Sequence, residues 1–255
     1  MYAEERQQAI ATLVATRGTV SVTELSDMYA VTTETVRRDL AVLDRMGLVR
    51  RVHGGAVPAT LLTTVESGTT ERDHTRAGEK DHIAKAALDY LPGTGGSVLF
   101  DAGTTTARIA ALLPSDRDLT VVTNSIPIAA RVSGLGGIKL HMLGGRVRGV
   151  TQAAVGDDVL RVLGTMRVDV AFIGTNALSL GHGLSTPDSE EAAVKRAMLA
   201  SAHHVVVTAD SSKIGREHMI SFGTIKQIDV LVTDGDITDA DRMQLQDNGI
   251  AVVIA

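Results

Sequence analysis

Seven short, nearly continuous apolar runs recur in the C-terminal two-thirds of the chain, at 97–101, 119–123, 138–143, 169–174, 204–209, 229–233 and 250–254. Helical patterns separate most of them, at 105–113, 126–133, 156–166, 189–202 and 238–248, and one at 79–91 (Ile83, Ala87, Leu91) precedes the first. A strand that is apolar on both sides must be covered on both sides. Strands of that kind joined through helices predict a largely parallel sheet between helix layers, an α/β, Rossmann-like domain. With 2% aromatics and no Trp, its core must be built from Val, Ile, Leu, Ala and Met. Residues 58–78 are rich in Thr, Ser and Glu with little periodicity and read as a linker. The expected organisation is a small domain over 1–57, a linker over 58–78 and the α/β domain over 79–255.

The small domain reads as three helices and a hairpin. Ile10, Leu13 and Val14 form one buried stripe on a helix over 4–16, which Gly18 ends. Ser21 with Glu24 forms a capping box for a short helix over 22–29. Ala30 and Val31 make a tight connection, and Thr32 caps a third helix to about residue 46, with Gly47 as its stop. Val36, Leu40 and Leu43 face inward on that helix. Residues 48–57 put two short apolar stretches around a basic centre, followed by glycines, and read as a small β-hairpin wing. Three helices with a tight second turn describe a helix-turn-helix, whose third helix enters the major groove of double-stranded DNA. Thr33, Thr35, Arg37 and Arg38 point outward there; Arg reads a guanine edge and Thr meets a thymine methyl or a phosphate. Arg51 and His53 on the wing suit phosphate or the minor groove. Asp39 is expected to pair with a nearby Arg and orient it. The competing reading is an ordinary exposed helix with a solvated charged face.

The net charge of −5 argues weakly against nucleic-acid binding, but it lies wholly beyond residue 57. The first 57 residues are neutral, with Arg37, Arg38, Arg45, Arg50 and Arg51 clustered late, so a local basic face is open to them. The chain has no Cys, which excludes disulfides, a thiol nucleophile and Cys-ligated zinc. Residues 1–11 lack an apolar signal core and no run of about 18 apolar residues occurs, which suggests a cytoplasmic protein without a membrane partner.

The strongest chemical motif in the α/β domain is Asp101-Ala102-Gly103-Thr104-Thr105-Thr106, after a strand and opening a helix. N–H groups at a helix N-terminus bind anions, glycine permits close approach and Thr hydroxyls add donors. A plain capped turn is the alternative. Similar loops follow four other strands: Thr123-Asn124-Ser125, Leu143-Gly144-Gly145 with Arg146, Gly174-Thr175-Asn176, and Asp210-Ser211-Ser212-Lys213. Together they read as one polar pocket, with hydroxyls and amides for a polyol and Lys213 and Arg146 for a phosphate.

The string Thr35-Val36-Arg37-Arg38-Asp39-Leu40, with 47–56 after it, closely resembles the DeoR-family signature over residues 5–57. DAGTTTA, VVTNS, LGG, DVAFIGTNAL, GLSTPDSEEAAVKRAM and ADSSKIG resemble the DeoR-type sensor domain over 79–255, which is similar in fold to ribose-5-phosphate isomerase and CoA transferases. The resemblance implies a repressor of sugar uptake or catabolism genes that binds operator DNA and is controlled by a phosphorylated sugar. It implies that Asp101, Gly103, Thr104, Thr105, Thr123, Asn124, Asn176, Glu191, Lys195 and Lys213 lie in or beside the effector site. Glu191 and Lys195 are four apart on a helix, so an ion pair between them is the alternative to ligand contact. MYAEERQQ and TVRRDLAVLDRMGLVRRVHGGAV resemble actinobacterial repressors of sugar phosphotransferase and fructose genes, which points to fructose 1-phosphate or a related hexose phosphate. A two-fold operator would call for a homo-oligomer, at least a dimer.

An enzymatic reading finds little support. The isomerases carry Asp-Gly-Ala-Asp where Ile173-Gly174-Thr175-Asn176 stands here, and neither Ile nor Asn transfers a proton. Glu190 or Glu191 could be offered as a CoA-transferase carboxylate, with nothing else beside it. The glycine runs 93–96 and 134–137 precede strands, the wrong side for a dinucleotide loop. The eight His are scattered without metal-ligand spacing, so no metal, cofactor or catalytic residue is expected.

Overall fold

A computed structural model describes residues 2–17, 20–52, 54–58 and 68–255. The expectations for Gly18 and His53, and for residues 59–67 of the linker, lie outside the described residues. The chain divides into two compact units, Met1–Leu62 and Thr63–Ala255.

The first unit holds helices Ala3–Arg17, Val22–Tyr29 and Thr33–Arg45 and a hairpin of Val49–Val52 with Gly55–Pro58. Ala30, at φ 50°, closes the second helix, and the Thr32 side chain accepts the Thr35 N–H to start the third. Ile10, Val14, Leu25, Val36, Leu40 and Leu43 are buried together. The capping box is only half formed. Ser21 Oγ accepts the Glu24 N–H at 3.1 Å, but the Glu24 carboxylate pairs with Arg17. A further strand, Val20–Ser21, pairs antiparallel with Gly55–Pro58. It requires glycine at 55, where a Cβ would lie 2.1 Å from the Val20 carbonyl oxygen.

The second unit is built on a seven-stranded, all-parallel sheet. From edge to edge its strands are Ala251–Ile254, Val230–Thr233, Ala202–Thr208, Val168–Gly174, Ser97–Phe100, Leu119–Thr123 and Ile138–Met142. Alternate residues face opposite layers, as a strand's period of two demands. Val98, Phe100, Val170 and Phe172 pack with Ile83, Ile109 and Ile128 on one side. Leu99, Ala171, Ile173 and Val207 pack with Leu163, Met198 and Leu245 on the other. The chain runs outward in one direction from Ser97–Phe100 and then returns to its other side with Val168–Gly174. That reversal opens a crevice at the C-terminal strand ends, where open α/β sheets bind ligands.

Two small antiparallel additions escaped the periodicity: Arg146–Arg148 with Ala153–Val155, and Ala177–Ser179, Gly183–Thr186 and Ile220–Gly223. Their strands are too short to show a period. The expected linker over 58–78 also needs correction, because Thr69–His74 is helical and the next helix, Ala77–Ala87, begins before residue 79. Thr69–His74 is short and polar with no buried residue, which hid it, whereas the expected helix at 79–91 is present and only starts two residues earlier.

Candidate ligand cavity and DNA-facing helix

On the third helix of the first unit Thr33, Arg37 and Arg38 are exposed, and Arg37 approaches Glu34 at 3.6 Å. Thr35 is half-buried and committed to the helix start, its hydroxyl 2.9 Å from that of Thr32. Arg51 is exposed on the hairpin, and its N–H donates to Asp44 at 3.2 Å. Asp39 does not pair with a neighbouring Arg. It sits on the inward stripe with Val36 and Leu40, and accepts from Arg6 at 2.6 Å and Gln7 at 2.9 Å on the first helix.

A cavity of about 200 Å³ lies in the second unit, at the crevice. Asp101, Gly103, Thr104, Thr105, Asn176, Lys195 and Lys213 line it, so three of the five polar loops meet there. The helix Thr104–Ala111 starts at its wall, and its first-turn N–H groups have no intrahelical partner. Glycine is needed at 103, where a Cβ would come within 2.8 Å of Thr106 Oγ1 and 3.1 Å of Asp101 Oδ1.

Asp101 is buried and bolts two strand ends together. Its carboxylate accepts from the Thr106 hydroxyl at 2.8 Å, the Gly174 N–H at 2.9 Å and the Lys195 ammonium. Lys195 also donates to the Gly174 carbonyl at 2.9 Å. The acid and the lysine thus largely neutralise each other.

The remaining expected residues do not line this cavity. Thr106 is fully buried and closes the turn, accepting the Gly103 N–H at 3.0 Å. Thr123 is also fully buried, its hydroxyl donating to the Phe100 carbonyl at 2.8 Å. Asn124 donates to the Ala154 carbonyl at 2.9 Å. With Glu191 it lines a small neighbouring cavity of about 10 Å³, room for one water, which shares Asp101 and Lys195 with the larger one. Glu191 is held by Arg148 and Thr151, and Lys195 by Asp101, so each has its partner off the shared helix. Arg146 is exposed and paired with Glu190. Strand order explains the positions of Thr123, Asn124 and Arg146. Leu119–Thr123 and Ile138–Met142 lie on the far side of Ser97–Phe100 from the loops that close the cavity.

Among the cavity residues that were not anticipated are Arg72, Thr75, Lys80 and His218. Arg72 and Thr75 fall in the stretch read as linker. Lys80 had a signal, since it lies three and seven residues before Ile83 and Ala87 on their buried face. Its ammonium donates to the carbonyls of Arg72 and Thr75. Burial lowers the Lys80 pKa to about 8; Asp210 opposes this, while Lys213, Arg72 and Arg108 add to it. Lys213 is lowered as well, chiefly by burial, with Asp210 opposing and Arg72, Arg216 and Arg76 contributing. Asp101 and Asp210 are the carboxylates among the lining residues, against Arg72, Lys80, Lys195 and Lys213. That balance of charge, with the hydroxyls of Thr104 and Thr105, is chemically suited to a small anion.

Among the described residues no group of His, Asp and Glu could hold a metal ion, and no helix is long and apolar enough to cross a membrane. Ile173 is buried in the core.

A winged helix-turn-helix joined to a sheet with an anion-accepting cavity defines a ligand-responsive DNA-binding regulator. The DeoR-like helix-turn-helix domain matches residues 6–60 and the DeoR C terminal sensor domain residues 75–235. The chain belongs to the DeoR family of transcriptional regulators. It is 36% identical over 253 residues to the HTH-type transcriptional regulator GlpR of Haloferax volcanii, covering 99% of this chain and 98% of that one. It is 32% identical to a putative aga operon transcriptional repressor of Escherichia coli O157:H7, covering 98% and 93%. These relatives are regulators, and the chain is a DNA-binding transcriptional repressor rather than an enzyme. Among solved structures it resembles a D-ribose-5-phosphate isomerase in complex with phospho-erythronic acid, at 18% identity and TM-score 0.38 over 53% of this chain and 52% of that one.

Proposed function

We propose that this repressor acts in the cytoplasm on genes of sugar uptake or breakdown, and that a phosphorylated sugar in the cavity sets its affinity for operator DNA. In this reading Arg37 and Arg38 read bases, Thr33 and Arg51 contact the backbone, and a homo-oligomer engages a two-fold operator. The observation that carries the sensor half is the convergence of a helix N-terminus, Thr104, Thr105, Lys80 and Lys213 on one small cavity. The helix start and the lysines suit a phosphate, and Asn176 with the threonine hydroxyls suits a polyol. Fructose 1-phosphate is the first candidate.

The test is a thermal-shift panel of fructose 1-phosphate, glucose 6-phosphate, glycerol 3-phosphate and the parent sugars, followed by operator titration with each ligand that binds. A ligand at 100 times its Kd adds about 2.7 kcal/mol of stability. One sugar phosphate should shift the melting temperature and change operator affinity, and its parent sugar should do neither. A panel without effect on melting or on operator affinity would overturn the reading.

A further inference from the structure

The cavity is not built by the sheet alone. Arg72 lines it from helix Thr69–His74, and Thr75 follows directly. Arg72 lies between the two matched family domains, which end at residue 60 and begin at residue 75. Among the described residues its guanidinium has no hydrogen-bond or carboxylate partner, although it is close enough to Lys80 and Lys213 to act on both. A half-buried, unmatched guanidinium beside two lysines is a standing demand for an anion.

The same short segment is tied to the cavity's other walls. Arg108, on the helix that Gly103 opens, donates to Asp73 Oδ1 at 2.8 Å and to the Asp73 carbonyl at 2.9 Å. Arg76, at φ 52°, pairs with Asp234 at 3.1 Å and Asp236 at 2.7 Å. Asp234 in turn accepts the Ser211 N–H at 2.8 Å, beside Lys213. Lys80 holds the Arg72 and Thr75 carbonyls. In sequence, residues 59–67 separate Pro58, the end of the hairpin, from Gly68, which starts this helix.

We propose that Arg72 is the coupling residue: it binds the effector's anionic group and thereby fixes the chain that leads to the DNA-binding unit. The proposal rests on the reading of the cavity as a sugar-phosphate site. An anion draws the Lys80 ammonium away from the Arg72 and Thr75 carbonyls while it engages the Arg72 side chain. Occupancy therefore changes what holds Thr69–His74, and a ligand shifts an equilibrium only through such differential interactions.

The experiment uses full-length wild type, Arg72→Gln, Arg72→Lys and Lys213→Gln, with an operator duplex selected by the wild type. Operator affinity is measured without ligand and at saturating fructose 1-phosphate, inorganic phosphate serving as a second probe, with saturation set by calorimetry for each variant. Wild type should show a coupling factor of about 5–150-fold. Lys213→Gln should need more ligand but reach the same factor. Arg72→Gln should bind unliganded operator like wild type yet fall below about twofold coupling, and Arg72→Lys should recover part of it. In parallel, phosphate should slow amide hydrogen exchange over residues 69–76 of the wild type. Full coupling in Arg72→Gln, equal loss in Lys213→Gln, or unchanged exchange over 69–76 would each overturn the coupling role alone. A wild type that binds neither probe would remove the cavity reading beneath it.

Discussion

Arg6 on the first helix donates to Asp39 on the third at 2.6 Å, with both side chains buried. The pair joins residues 33 apart and fixes the angle of the helix that carries Arg37 and Arg38. Asp39 directly follows Arg38 in sequence but turns inward while the two arginines turn out, because successive helical residues are about 100° apart.

Removing that carboxylate should loosen the first unit. Asp39→Ala leaves Arg6 and Gln7 without their acceptor, and a charged hydrogen bond contributes about 2 kcal/mol. Urea unfolding of the full chain, followed by helical circular dichroism, should show an earlier first transition and weaker operator binding. An unchanged transition would mean that Arg6 finds water instead.

On the exposed face, Arg37→Ala and Arg38→Ala should each weaken operator binding by about 1–3 kcal/mol if the residue reads a guanine. Arg51→Ala should cost similar amounts on every sequence and flatten the salt dependence by about one unit of slope. Titrations against the operator and a scrambled duplex at two or more salt concentrations separate these roles. Wild-type affinity in both Arg37→Ala and Arg38→Ala would take the third helix out of base reading.

Ligand binding should be linked to protons through Lys80. Its pKa is lowered to about 8 by burial, with the cations Lys213, Arg72 and Arg108 helping and Asp210 opposing. Between about pH 8 and the ordinary lysine value the unfolded chain binds more protons than the fold, so this residue's contribution to stability rises with pH across that window. An anion in the cavity favours the ammonium and raises the pKa again. Effector affinity should therefore fall as pH rises through about 8, with proton uptake on binding. Calorimetry at pH 8.5 in buffers of differing ionisation heat measures the uptake, and Lys80→Met should reduce it. Zero uptake in the wild type would place the anion away from Lys80.

At the loop, Thr104→Glu puts a carboxylate at the start of Thr104–Ala111, where the proposed phosphate would sit. Sugar-phosphate binding should drop at least about tenfold, a change of about 1.4 kcal/mol or more. Thr104 is only half-buried, so the fold should tolerate the change. Calorimetric titration checks this, and an undiminished affinity would put the phosphate elsewhere.

Local periodicity and turn chemistry were enough to place the seven parallel strands, the helices between them and the three helices with their hairpin, because burial imposes a period of two or 3.6 directly on residue type. The Asp101–Thr106 loop was legible for the same kind of reason, since a glycine and threonines at a strand-to-helix turn are local chemistry. What local pattern does not carry is which turns become neighbours. Every strand-to-helix turn of such a sheet favours Gly, Ser, Thr and Asn, so five loops looked alike. The reversal of strand order between Ser97–Phe100 and Val168–Gly174 brought three of them together and left Thr123, Asn124 and Arg146 outside. Tertiary structure likewise gave Asp101 its lysine from 94 residues away, Asp39 its arginine from the first helix, and the cavity its Arg72 from a segment without apolar period. The sequence determined the elements because their signals lie within a few residues of one another; the cavity depended on the packing of the whole sheet because its residues meet only once the strands are in order.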